Sequence, residues 1–224
     1  MSTVAFIPVR GGSKTIPLKN IKIMAGKPLV YWTIKAACEC SKIDAVYVAT
    51  DSADIEEVVN GFCFEKVKVI PRSNESASDT ASTEMAMLEF ANKFNFDTIV
   101  LIQATSPLLK ASDIDRGFIL YDQENTDSVF SVVRQTRFVW KIENGYAYPI
   151  NFDYSKRPRR QEFDGFLVEN GAFYITSKKA LLKSGNRMSG NIRAVEMEED
   201  SYYEIDEETD WIIVEQLLNK KNNL

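Results

Sequence analysis

Thr3-Val-Ala-Phe-Ile-Pro-Val9 is an apolar, strand-like run that breaks at once into Arg10-Gly11-Gly12-Ser13-Lys14-Thr15-Ile16-Pro17-Leu18-Lys19-Asn20. The run predicts a buried strand, and the break puts glycines, cations and hydroxyls at its carboxyl end. Open α/β sheets bind ligands at that place. Backbone N–H groups of such a loop can cradle phosphate oxygens, and Arg and Lys can neutralise them. The rival reading is a surface turn with ordinary charges. Neither common nucleotide fingerprint applies. A Walker A loop needs a second Gly where Ser13 stands, and G-x-G-x-x-G needs glycines two apart, whereas Gly11 and Gly12 are adjacent. Pro17 and Asn20 keep the loop from entering a helix directly.

Working outward, strand and helix patterns alternate. Strands are expected at Val4–Val9, Ala45–Ala49, Val67–Ile70, Thr98–Ile102 and Ser128–Val133. Helices are expected at Pro28–Cys40, from Ser52 or Ala53 to Val59, at Ser82–Phe94 and at Asp113–Asp122, with Asp113 near an N-cap. Short apolar strands between helices predict an α/β fold, a mostly parallel, doubly wound, Rossmann-like sheet. After Arg134 the texture changes to a β-hairpin around Asn144-Gly145, then the cationic Lys156-Arg-Pro-Arg-Arg160. Strands resume at Phe166–Leu167 and Ala172–Ile175, and a helix closes the chain over Asp206–Leu218. One domain over residues 1–224 is expected, carrying an inserted arm at roughly residues 136–165. The arm's apolar aromatics need cover, which favours a dimer contact.

Composition narrows the function classes. The chain has 224 residues, 45% apolar and 26% charged, which suits one large core. Net charge is −5, so no basic face for nucleic acid is expected. No apolar run is long enough to span a membrane. No basic and apolar leader pattern precedes the first strand, and the three cysteines are odd in number. Both point to a reducing, cytoplasmic setting. There is no histidine, so any chemistry proceeds without an imidazole base or ligand.

Four further constellations could carry chemistry. Arg72 with the polar stretch Ser76–Thr83 could recognise a base and ribose, or Ser82 and its neighbours could simply cap a helix. Gln103-Ala-Thr-Ser-Pro107 follows the most apolar strand and reads as a ligand floor, with a Ser-Pro turn as its rival. The cations at 156–160 either meet an anion or form a solvated basic patch. Glu204 and Asp206, two apart, would project to one side of an extended segment, as a hard cation requires. Together these describe nucleotidyl transfer, in which positioning and charge neutralisation do most of the work.

These residues are similar to the N-acylneuraminate cytidylyltransferases (CMP-sialic acid synthetases). The resemblance rests on Arg10–Lys14 with Pro17–Asn20, Thr50-Asp51, Ser78-Asp79 with Ala81-Ser82, Gln103–Pro107 and Asp127–Val133. Lys156–Gln161, Asp164-Gly165 and Glu169-Asn-Gly171 look closest to the animal-type branch, and Ile205-Asp206 with Asp210-Trp211 closes the match. The resemblance implies a nucleotide-diphospho-sugar transferase-like sheet with a dimerisation arm, giving a homodimer or, alternatively, a tetramer. It implies that CTP and a nine-carbon 2-keto sugar acid, N-acetylneuraminate or a relative such as Kdn, give the CMP-sugar and pyrophosphate with Mg²⁺. Arg10, Gly11, Ser13, Lys19 and Asn20 would then hold CTP, and Arg72, Ala81 and Ser82 the cytidine. Gln103, Thr105, Ser106 and Asn170 would face the sugar acid, and Arg160 and Gln161 would reach the neighbouring protomer's site. Asp206 would bind the metal, with Glu204 as a second ligand. Arg10, Lys19 and Asp206 would carry the chemistry. Another ulosonic acid (legionaminic, pseudaminic or octulosonic) and a non-catalytic nucleotide-binding role are the alternatives.

Two departures stand out. Thr15 occupies a position where the family often has Gly, and the metal segment reads Glu204-Ile-Asp206 where Asp-Ile-Asp is frequent. Val168 and Glu169 also fill positions where some members carry an Arg for the substrate carboxylate.

Overall fold

The computed structural model describes residues 2–12 and 15–222. In chain order the elements are β1 (Thr3–Pro8), β2 (Ile23–Met24), β3 (Lys27–Pro28), α1 (Leu29–Glu39), β4 (Ala45–Thr50), α2 (Ala53–Asn60), β5 (Val67–Pro71), α3 (Asn74–Ala77) and α4 (Thr83–Lys93). They continue with β6 (Thr98–Ile102), α5 (Ala111–Tyr121), β7 (Ser128–Gln135), β8 (Trp140–Glu143), β9 (Tyr146–Pro149), β10 (Phe166–Ser177), α6 (Lys178–Ser184), β11 (Ile192–Met197) and α7 (Glu208–Asn222).

Seven strands form one sheet in the order β11-β7-β10-β6-β1-β4-β5. β1 pairs in parallel with both β4 and β6, β4 with β5, and β11 with β7. Only β10 runs antiparallel, between β6 and β7. The expected mostly parallel, doubly wound sheet is therefore present. Every residue of β6 is buried, because a central strand with helices on both faces has no solvated side. One face packs against α1, α2 and α5 through Ile34, Ile55 and Ile114. The other packs against α4, where Phe90 stacks on Phe6 with ring centroids 4.8 Å apart and on Phe94 at 4.8 Å. α5 approaches β10 so closely that a Cβ on Gly117 would sit 2.7 Å from the Phe173 ring, which only hydrogen at that position avoids.

Local chemistry sets the helix starts. Ser52 and Ser82 cap α2 and α4 by accepting from Ile55 N and Met85 N. α5 starts two residues before Asp113, whose carboxylate accepts from Lys110 N at 3.0 Å as the third helical residue rather than the cap.

The sheet directions gather one edge. Loops leave the carboxyl ends of β1, β4, β5 and β6 together. Because β10 is antiparallel to β6 with Phe173 opposite Ile102, Asn170 and Gly171 lie at that same edge. β11 is parallel to β7, with Met197 opposite Val133, so the 198–206 segment also emerges there. β8 and β9 form a separate hairpin outside the main sheet, turning at Asn144 and Gly145, both with positive φ. No helix among the described residues is long and apolar enough to cross a membrane.

Candidate active site

The loop after β1 is stitched down at both ends. Gly11 N donates to Asp51 Oδ1 at 2.9 Å, and a Cβ on Gly11 would fall 2.9 Å from Ser52 Cβ. Only a residue without a Cβ lets the loop's backbone run this close to Ser52. Asn20 is buried and its Nδ2 donates to Arg10 O at 3.1 Å, closing the loop on itself. Ile16 is fully buried in a small core with Leu29, Ile205 and Trp211, which anchors the middle. Ser13, expected to touch CTP, lies outside the described residues.

This loop then binds the acidic segment. Lys19 Nζ donates to Ile205 O at 2.7 Å and lies 3.7 Å from Asp206 Oδ1. Thr15, the departure from the family pattern, donates from Oγ1 to Asp206 O at 2.6 Å. Thr15 is thus a second tie between the phosphate-type loop and the segment expected to hold metal. A glycine there could not make it.

Between these walls lies a cleft of about 250 Å³. Its lining brings together seven of the predicted residues: Arg10, Lys19, Asn20, Arg72, Ala81, Gln103 and Thr105. They come from the ends of β1, β5 and β6, as the strand order requires. Arg10 Nη1 reaches across the mouth to Asp79 Oδ1 at 2.8 Å, a contact the sequence did not show. Arg72 Nη2 donates to Ser76 O, while its Nε is buried with no hydrogen-bond partner. Burial pushes the Arg72 pKa down, with the Asp51 charge opposing it.

Other predicted residues are placed elsewhere. The Ser82 hydroxyl is used as the α4 cap. Ser106 is buried beneath the floor, with its Oγ unpartnered. Asn170 is also buried: its Nδ2 donates to Ser201 O at 3.0 Å and its Oδ1 has no partner. Arg160 and Gln161 are exposed in a turn of the arm segment, where Arg160 Nε donates to Thr136 Oγ1 at 3.4 Å. Within this chain Arg160 borders a different basin, which Arg137, Phe138 and Arg157 share.

Glu204 rests against Gly171, which has φ +66°. A Cβ there would lie 1.5 Å from Glu204 Oε1 and 3.3 Å from Gln103 Nε2. Gly171 thus seats the carboxylate beside the floor. Burial, then the charges of Asp206 and Glu169, push the Glu204 carboxyl up to about 7. A divalent cation would relieve that crowding of acids, so the Glu204 and Asp206 carboxylates fit such an ion. Among the described residues no cluster of three or more carboxylate or thiol groups forms an all-protein metal cage. Gly171→Ala is expected to displace Glu204 and cost about 1–2 kcal/mol of backbone strain. A thermal melt should show this as a lower midpoint; an unchanged midpoint would show that Gly171 is not needed to seat Glu204.

Three residues linked to Glu169 were not singled out from the sequence: Tyr174, Arg187 and Glu84. The Tyr174 hydroxyl donates to Glu169 Oε1, and the Arg187 guanidinium lies 4.9 Å from the Tyr174 ring centre. No motif marks Arg187, which follows α6 in an ordinary turn.

The family model described as Cytidylyltransferase matches residues 4–216. The chain belongs to the cytidylyltransferase family. Within it, N-acylneuraminate cytidylyltransferase A of Danio rerio is 40% identical over 217 residues, covering 95% of this chain and 50% of that protein. N-acylneuraminate cytidylyltransferase of Streptococcus agalactiae serotype III (strain NEM316) is 30% identical over 222 residues, 96% of this chain and 52% of the relative. The chain spans about half the length of the curated relatives it matches. The cytidylyltransferase fold is shared with a solved CMP:2-keto-3-deoxy-manno-octonic acid synthetase in complex with CTP. Its TM-score is 0.72 at 20% identity, covering 99% of this chain and 100% of that one. It is shared too with 4-diphosphocytidyl-2C-methyl-D-erythritol synthase from Anaerococcus prevotii, at TM-score 0.71 and 12% identity over 97% and 96% of the two chains.

Proposed function

We propose that this cytidylyltransferase joins CTP to a nine-carbon 2-keto sugar acid, N-acetylneuraminate or a relative such as Kdn. The observation that carries the reading is the convergence of Arg10, Lys19, Arg72, Gln103 and Thr105 on one strand-end cleft. The relatives' names supply the substrate class. The sugar's 2-hydroxyl oxygen attacks the α-phosphorus of CTP and loses its proton to solvent, a new O–P bond forms, and the bond to the β-phosphate oxygen breaks to release pyrophosphate. Arg10 and Lys19 neutralise the phosphate oxygens as charge develops. Arg10 exchanges its Asp79 partner for phosphate when the nucleotide enters. Arg72 and Ala81 border the nucleoside end, and Gln103 and Thr105 the sugar end. Asp206 and Glu204 would hold Mg²⁺, which supplies charge neutralisation and alignment of the phosphates.

The test is pyrophosphate release with CTP, Mg²⁺ and a panel of acids: N-acetylneuraminate, Kdn, legionaminic, pseudaminic and octulosonic. Release with a nine-carbon acid is expected. Release with none favours a binding-only protein, and faster release with ATP or GTP than with CTP would sink the cytidine assignment.

We also infer that two copies associate through the β8–β9 arm. Trp140, Ile142 and Tyr146 are 46%, 78% and 70% exposed there, an apolar patch that a second copy would cover. Light scattering should give twice the chain mass, and Ile142→Asp should lower it to one chain. A single-chain mass for the unaltered protein rejects the inference.

A further inference from the structure

The cleft beyond Gln103 ends in acid. Glu169 is exposed, Glu204 lies against Gly171, and Asp206 is 75% exposed. A sugar acid would bring a further carboxylate to this end. Holding it out of bulk water takes a cation of suitable geometry. Val168 and Glu169 supply none, and Arg157 and Arg160 border another basin. Among the described residues, two cations act on the Glu204 carboxylate, namely Lys19 and Arg187. Lys19 is already committed to Ile205 O and Asp206.

Arg187 is built to receive an anion. Its Nε donates to Glu84 Oε1 at 2.5 Å, and its side chain is only 18% exposed. The guanidinium lies over Tyr174, whose hydroxyl is turned to Glu169. Glu84 follows Thr83, which lines the cleft. Arg187 therefore stands between the first turn of α4 and the Glu169–Glu204 wall. Glu84 lies in the first turn of α4, where the helix N-terminus also favours its negative charge. The bond to Glu84 uses Nε, and the guanidinium carbon lies 4.9 Å from the Tyr174 ring centre. A guanidinium already fixed by stacking and one ion pair loses less freedom when it grips a carboxylate.

We propose that Arg187, oriented by Glu84 and stacked on Tyr174, receives the carboxylate of the sugar acid and makes the site selective for acids over neutral analogues. The proposal rests on the cytidylyl-transfer reading above. The experiment compares the best acid of the panel with its C1 carboxamide, in the unaltered protein and in Arg187→Met, Arg187→Lys and Glu84→Gln. The unaltered protein should favour the acid by about 100-fold in kcat/KM. Arg187→Met should raise KM for the acid at least tenfold, leave KM for CTP within twofold, and bring the acid-to-amide ratio close to one. Arg187→Lys should restore part of the ratio, and it keeps the test open if the methionine variant melts early. Glu84→Gln should shift the ratio in the same direction by less. Equal losses with acid and amide, or an unchanged KM for the acid, would assign Arg187 a packing role and overturn the proposal. No turnover of any acid by the unaltered protein would overturn the cytidylyl-transfer reading first, a result separable from the other two.

Discussion

Lys19→Ala is expected to lower kcat by about 100- to 1,000-fold while the protein stays folded. Lys19 joins the loop after β1 to the acidic segment, through Ile205 O at 2.7 Å and Asp206 at 3.7 Å. Its side chain is only 12% exposed. Burial pulls its pKa down and the Asp206 carboxylate pulls it back up. Its charge is therefore held in partly desolvated surroundings, where a phosphate gains far more from it than from a surface lysine. The folding cost is smaller. One charge-assisted hydrogen bond to a carbonyl is lost, about 1.5–3 kcal/mol, and nearby Ile16 keeps the loop anchored. Lys19→Arg should rescue poorly, because a planar fork does not fit where a compact ammonium sits. The measurement is steady-state pyrophosphate release beside a thermal melt. Turnover near that of the unaltered protein with an intact melt would remove Lys19 from the chemistry.

Asp206→Ala should be nearly as severe for activity and almost silent for stability. Asp206 is 75% exposed, so its ion pair with Lys19 contributes under about 1 kcal/mol to folding. Its backbone stays tied by Thr15 at the carbonyl and by Asp210 at the amide. What the substitution removes is one of the two carboxylates proposed to hold Mg²⁺. The expected result is a fall in kcat of about 100-fold and a Mg²⁺ requirement shifted to higher concentration. Chelation should abolish the activity of the unaltered protein, and titrating Mg²⁺ back should restore it. A variant whose Mg²⁺ dependence and turnover stay within threefold would show that the metal, if used, sits elsewhere. Thr15→Val separates the loop tie from the ligand role, since it frees the Asp206 carbonyl and leaves the carboxylate in place.

The frame of the fold was legible because central parallel strands are buried on both faces and read as unbroken apolar runs. β1, β4 and β6 are of that kind. The later half was less legible. β10 is one twelve-residue strand, but its ladder shifts register between Glu169 and Tyr174, and Asn170-Gly171 looks like a turn in sequence. β11 is an edge strand with exposed Ile192 and Arg193, so neither alternation nor a continuous run announces it. α6 is seven residues long and relies on the Ser177 cap rather than on a long periodic face.

The candidate site divides in the same way. By itself the sequence determined that a basic, glycine-containing loop follows the first strand and a polar floor follows the central one. Strand ends in a parallel sheet must meet at one edge, so Arg10, Lys19, Arg72 and Gln103 could be grouped without coordinates. Only the tertiary structure decided what faces them. An antiparallel β10 brings Gly171 and Glu204 to that edge, and Thr15 ties the loop to Asp206. The turn after α6 delivers Arg187 from a stretch with no pattern of its own. Spacing along the chain encodes which side chains share an element. It does not encode which distant turn a reversed strand will carry into contact.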